Sequence, residues 1–263
     1  MNHETIEIDG VCPLFLSVWA GSAQAAQTQL CSNAMMSVLK SDARNQNVSE
    51  WNEDNFSSVA CKRLPGEPDI MLGSYFQRRF MDPLDDSSEY LWRVVLVDTT
   101  THQVVSAYTG SVGDEGGIRI DNDQIWLDTA RYYLNDDTRA FGVRLDIGHA
   151  SRFAEGGASG YMTLFVREQE KLQPVLKSLP MNYWTNQEGH FSVTGEPVPI
   201  HQAKVYINIG NKISHGYRDL KLTTKVKDKM SDQYFSDVYQ KAWSFDQTLK
   251  FDGKAYQGFK AWP

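Results

Sequence analysis

The stretch Asp146-Ile147-Gly148-His149-Ala150-Ser151-Arg152-Phe153-Ala154-Glu155-Gly156-Gly157-Ala158-Ser159-Gly160 gathers more reactive side chains than any other part of this sequence. It holds an imidazole, two carboxylates, two hydroxyls, a guanidinium and several glycines between two β-forming runs. It therefore reads as a long connecting loop, the kind of segment on which binding residues concentrate. His149, Arg152, Glu155 and Ser159 are its candidate binding residues. An arrangement of Ser159, His149 and Asp146 would make the loop a hydrolase site with His149 as general base, because an imidazole titrates near neutrality. Two absences weigh against that chemistry. Ser159 is followed directly by Gly160 and Tyr161, so the Gly-x-Ser-x-Gly nucleophile elbow is missing. There is no Gly-x-x-x-x-Gly-Lys-Ser/Thr loop to cradle a phosphate. A solvated hairpin loop, its glycines supplying positive φ, explains the segment without chemistry, and that reading is favoured.

Other reactive groups are scattered. The histidines are His3, His102, His149, His190, His201 and His215, and no two have the i, i+4 or His-x-His spacing of a zinc site. Acidic groups at Asp82, Asp85, Asp86, at Asp121, Asp123 and at Asp136, Asp137 read mostly as solvated turns, and a spacing such as Asp121-Asn122-Asp123 lacks the glycine and terminal glutamate of a calcium loop. No cofactor is expected. Tyr132, Tyr133, Tyr183, Trp184, Tyr234, Tyr239 and Trp243 read as β-sheet residues in preference to a binding patch.

The elements that would position these groups are mostly strands. Leu30, Ala34, Met35, Val38 and Leu39 recur at helical spacing and predict one helix over residues 29–43. Ser58–Cys61 is a short strand, and residues 70–80 continue an apolar and aromatic pattern. Hairpins follow: residues 92–98 with 103–108, 141–147 with 161–166, 204–209 with 220–226, and 243–251 with Ala255-Tyr256 across the tight-turn dipeptide Asp252-Gly253. The fold class is mainly β, with antiparallel hairpins forming a sandwich or propeller-like domain and one N-terminal helix.

Composition limits the partners. The formal charge is −7, from 26 basic and 33 acidic residues, which offers no basic face for phosphates, so nucleic acid is not an expected partner. No run of about 20 apolar residues exists to span a membrane. The short apolar run at residues 11–20, followed by Gly21-Ser22-Ala23-Gln24-Ala25, has the form of a signal peptide cleaved after Ala25, although Glu4, Glu7 and Asp9 replace the usual positive start. A single β-rich domain over 26–263, located in the periplasm, is the expectation. Cleavage would remove Cys12 and leave Cys31 and Cys61, a pair suited to one disulfide in an oxidising compartment.

The segment His215-Gly216-Tyr217-Arg218-Asp219-Leu220, followed later by Phe251-Asp252-Gly253-Lys254-Ala255-Tyr256, resembles the blade motif of proteobacterial exported β proteins related to FG-GAP repeats. The mature chain, including Ala60-Cys61-Lys62 and residues 127–132, is also similar to a set of proteobacterial periplasmic proteins that bring no reaction with them. The likeness implies propeller-like hairpins near the C-terminus and adds His215 and Tyr217 to the candidate binding residues. The clustered Asp-x-Asp-x-Asp-Gly of calcium-binding repeats is absent. These features favour an exported, non-catalytic binding protein whose partner is another protein, in concrete form an immunity or inhibitor protein against a secreted antibacterial toxin. A periplasmic hydrolase acting on envelope material through residues 146–160 and a structural subunit of an envelope assembly are the alternatives.

Overall fold

The computed structural model describes residues 29–46, 52–81, 88–114, 118–148, 154–188, 197–231 and 241–263. The expected leader and its cleavage site lie outside the described residues. Helix α1 (Asn33–Arg44) starts where the Ser32 hydroxyl accepts from Met35 N at 3.3 Å, a cap worth about 1 kcal/mol. Its Met35, Leu39 and Ala43, spaced at i, i+4 and i+8, form the buried stripe.

Twelve strands follow: β1 (Phe56–Arg63), β2 (Ile70–Met81), β3 (Ser88–Asp98), β4 (Gln103–Asp114), β5 (Ile125–Tyr133), β6 (Arg139–Leu145), β7 (Gly156–Glu168), β8 (Lys171–Asn186), β9 (Pro199–Ser214), β10 (Tyr217–Met230), β11 (Ala242–Phe251) and β12 (Tyr256–Gln257). They make two antiparallel meanders, β1–β4 and β5–β12, joined by one parallel bridge between Ala107 of β4 and Lys171 of β8. The sheet is not closed into a barrel, and its packing is sandwich-like. Strand alternation sets that packing, because residues i and i+2 share a face. Leu72 and Phe76 of β2 and Trp92, Val94 and Leu96 of β3 meet Leu127 of β5, Phe141 and Val143 of β6 and Phe165 of β7 in one core. On the other face of the first meander, Tyr75, Val95 and Val97 receive α1. Gly73 lies beneath Leu39, where an added Cβ would come within 2.9 Å of the leucine methyl, so its bare backbone sets how closely helix and sheet approach. Intervening residues of β7, Met162, Leu164 and Val166, face a further core with Leu220, Leu222 and Val226 of β10 and Leu249 of β11.

The expected hairpins form at β3–β4, β6–β7, β9–β10 and β11–β12. Two strands were not expected. In β5 the polar residues Asp128, Thr129 and Arg131 interrupt the apolar pattern, and in β8 Pro174 and Pro180 do. Prolines disfavour a strand interior unless they lie at bulges, and β8 tolerates them where its register with β7 shifts around Leu164.

Cys31 and Cys61 form the expected disulfide, tying the chain just ahead of α1 to β1 across a separation of 30 residues. Closing a loop of that length restricts the unfolded chain, so reduction is expected to remove roughly 3–4 kcal/mol. Urea midpoints with and without reductant measure this, and coincident midpoints would refute it.

Three buried tyrosines set an alkaline limit. Burial, foremost, raises the hydroxyls of Tyr75, Tyr132 and Tyr256 above the ordinary tyrosine range, and neighbouring Asp42 and Asp128 add to the shift for the first two. Tyr75 donates to Asp42 at 2.7 Å and Tyr256 to the Arg218 carbonyl at 2.7 Å. Because the folded state holds these protons more tightly, the unfolded chain loses them first, near pH 10, and stability falls as pH rises beyond that point. The thermal midpoint is expected to decline above about pH 10, and less steeply in Tyr75→Phe. An identical decline in the variant would remove Tyr75 from the explanation.

Candidate functional site

Cross-strand register assembles a site that residue order conceals. One row of paired residues runs Ser159 (β7), Asn182 (β8), Lys204 (β9), Lys225 (β10), Ser244 (β11). The next row runs Gly157, Trp184, Gln202, Lys227 and Ala242 in the same strands. Below them lie Tyr206, Thr223 and Asp246, then Asn208, Lys221 and Thr248. All stand on one face, because the alternate residues Val205, Leu222, Thr224 and Val226 point into the core. Over these rows the face is largely polar, whereas further along β7 the same side carries Phe165 into the first core.

At one end of this face is a hollow of about 140 Å³ lined by Gly157, Ser159, Asn182, Trp184 and Gln202, with Gly148 as a wall. An added Cβ on Gly148 would fall 1.7 Å from the Ala158 carbonyl oxygen, and one on Gly157 would meet the Trp184 indole nitrogen at 2.7 Å. Glycine at both positions keeps the hollow open to its backbone and lets the indole lie against β7. The described lining residues offer hydroxyl, amide and indole groups and include no histidine or carboxylate.

Beside the hollow the face is cationic. Lys204, Lys221, Lys225, Lys227 and Lys250 are exposed on it, against Asp246 as the one carboxylate of β9–β11 on this face among the described residues. The β9–β10 hairpin carries six lysines and Arg218 against two aspartates, a formal +5 in a chain whose total is −7. Both aspartates face inward: Asp219 accepts from Ser214 Oγ at 2.6 Å, and Asp228 lies 2.6 Å from His201 Nδ1. The expectation of no basic face is therefore corrected, since a whole-chain charge does not reveal how strand alternation sorts its signs. Lys204 and Lys225 are directly paired, an arrangement that costs stability when like charges oppose each other on a sheet. Tyr206 offsets part of that cost, with the two ammoniums 5.8 and 5.1 Å from its ring centre.

Of the residues expected from sequence, Ser159 lines the hollow and Glu155 stands exposed at its margin, its carbonyl accepting from Asn186 N at 2.8 Å. The long loop is corrected: β7 begins at Gly156, so residues 156–160 are strand. His149 and Arg152 lie outside the described residues. His215 and Tyr217 belong elsewhere. His215 and Gly216 both have positive φ and form the two-residue turn between β9 and β10, the backbone such a hairpin demands. Tyr217 packs against Phe251 on the inner side, ring centres 4.6 Å apart and tilted, roughly 27 Å along β10 from Lys225 at strand spacing. Trp184, Asn182, Gln202 and the lysines were missed as site residues. Their one legible signal is the regular alternation of Lys221, Lys225 and Lys227 with Leu222, Val226 and Asp228.

Two other polar clusters are accounted for by the fold. Asp128, buried, accepts from Ala130 N at 3.0 Å, Tyr132 Oη at 3.1 Å and Arg144 Nη2, so its oxygens are engaged in holding β5 on β6. Beside it, burial depresses the Lys62 ammonium while Asp128 opposes that shift, and Lys62 donates to the Leu127 carbonyl at 3.0 Å. His201 sits between the rings of Trp243 and Trp262 at 6.3 and 5.9 Å, at the rim of the inner core. Among the described residues no group of three His, Cys, Asp or Glu side chains could hold a metal ion, and no helix is long and apolar enough to cross a membrane. No known protein family, curated protein or solved structure matches the chain.

Proposed function

We propose that this chain is an exported, non-catalytic binding protein that holds another macromolecule on the outer face of β7–β11. The observation that carries this reading is the five-strand row Ser159-Asn182-Lys204-Lys225-Ser244, which ends in a hollow offering hydrogen bonds and an indole but no acid–base pair among its described residues. Binding needs such a face, whereas hydrolysis also needs a positioned proton acceptor. The disulfide supports an oxidising compartment such as the periplasm. Inhibition of a secreted toxin is the form this reading takes when the partner is a protein.

The test is charge reversal. Lys204→Glu with Lys225→Glu is expected to weaken retention of the macromolecule captured from periplasmic extract by roughly tenfold or more, equivalent to about 1.4 kcal/mol. Stability should shift by no more than about 0.5 kcal/mol, as for exposed positions. Undiminished retention by the double variant would refute the assignment of this face.

A further inference from the structure

Resting on the reading of this face as the recognition surface, we propose that its ligand is an acidic polysaccharide, with one sugar ring seated in the Trp184 hollow and the acidic groups of the chain lying along the β9–β10 lysines. The hollow, at about 140 Å³, has room for a single pyranose ring. Its lining matches the chemistry of a sugar: the Ser159 hydroxyl and the Asn182 and Gln202 amides each both donate and accept, as ring hydroxyls do, and the Trp184 indole supplies an apolar surface for C–H groups. The cations begin at the next residue. Asn182 is the cross-strand partner of Lys204, and Gln202 that of Lys227. A carboxylate or sulfate on a ring in the hollow, or on the ring beyond it, reaches an ammonium without crossing an uncharged gap. Lys225 and Lys221 extend the track along β10 at roughly 6.8 Å per two residues.

Other polyanions fit less well. Protein interfaces are depleted in lysine and centre on apolar and aromatic anchors. Among the described residues Tyr206 is the one exposed large hydrophobic residue on the face, and the others, Leu30, Trp126, Tyr133 and Ile213, lie off these rows. Single-stranded nucleic acid needs open aromatic faces on which bases stack. The Tyr206 ring is flanked by two ammoniums, and the Trp184 indole offers one ring-sized place in the hollow, not a succession of platforms for successive bases. The opposed pair Lys204–Lys225 has a direct use in this reading, because an anion between the two ammoniums removes their repulsion.

The experiment titrates the full-length protein with polygalacturonate, dextran, polyglutamate and oligo(dT) at matched charge, following heat and tryptophan fluorescence between about 50 and 200 mM salt. Polygalacturonate is expected to bind tightest, dextran not to bind, and binding to weaken with salt. Lys204→Gln with Lys225→Gln should weaken polygalacturonate by roughly tenfold or more. Asn182→Ala with Gln202→Ala should weaken polygalacturonate by a similar factor and leave polyglutamate unchanged. Polyglutamate or oligo(dT) binding as tightly as polygalacturonate through the same lysines would overturn the sugar assignment while leaving the recognition face standing. If no polyanion responds to the lysine variants, the polysaccharide assignment falls, and the recognition face falls with it where retention from extract is also undiminished in Lys204→Glu with Lys225→Glu.

Discussion

Asp42→Ala is expected to destabilise the protein by about 3–5 kcal/mol, because it strips the counter-charge from a buried arginine. Asp42, on α1, accepts from Arg93 Nε at 2.8 Å and Nη2 at 3.0 Å and from the Tyr75 hydroxyl at 2.7 Å. The Arg93 and Asp42 side chains are only 12% and 9% exposed. Removing the carboxylate leaves a guanidinium and a phenol without their acceptor under the helix, and this desolvation penalty makes the loss larger than that of a surface ion pair. Replacing both partners with leucine should cost much less than Asp42→Ala alone, since no charge is left stranded. Chemical denaturation of the single and double variants is the measurement. A loss below about 1 kcal/mol for Asp42→Ala would show that α1 is held by its apolar stripe alone.

Phe165→Ala is the second large effect, about 3–5 kcal/mol from lost burial and the cavity left behind. Phe165 is fully buried on β7 and touches both layers of the first core: its ring lies 5.8 Å from Trp92 and 5.0 Å from Tyr108 of the first meander, and 5.9 Å from Phe141 of the second. Trp92 is itself fixed, donating its indole N–H to Ser74 Oγ at 3.1 Å, so the surrounding rings have little freedom to collapse into the space. Phe165→Leu should recover a large share of the loss. Equal stabilities for the alanine and leucine variants would contradict a rigid cavity.

How much of this was legible in the sequence depends on the range of the interaction. The β3–β4 hairpin was readable because its β-branched runs and its turn are contiguous, and α1 because Met35, Leu39 and Ala43 repeat locally. The Cys31–Cys61 bridge followed from pairing the two cysteines that remain when Cys12 is set aside with the expected leader. Strand β8 was not readable, since Pro174 and Pro180 argue locally against a strand that pairing with β7 and β9 stabilises. The candidate site was hardest. Ser159, Asn182 and Lys204 are about two dozen residues apart in sequence and become neighbours only through the registers of β7–β8 and β8–β9. A slip of one residue would turn Lys204 inward and Val205 outward. The reactive-looking residues of 146–160 are adjacent in the chain, yet of its described residues only Gly148, Gly157, Ala158 and Ser159 line the hollow.

Lys62 and Gln29 do something at the margin between β1 and β5 that strands ordinarily do for each other. The Gln29 side-chain oxygen accepts from Leu127 N and Lys62 donates to the Leu127 carbonyl, while Ser58 Oγ bonds to the Asp121 carbonyl and receives Gln124 N. The two layers are thus stitched along this margin by side chains, whereas at the opposite margin a backbone bridge joins them. A backbone ladder survives almost any substitution, but a stitched seam depends on residue identity. The seam makes the sandwich a pair of covers with a bound spine and a buttoned edge. Loosening the buttons at Gln29, Ser58 or Lys62 would open this margin without unravelling a strand, while the shared core around Phe165 still holds the covers together.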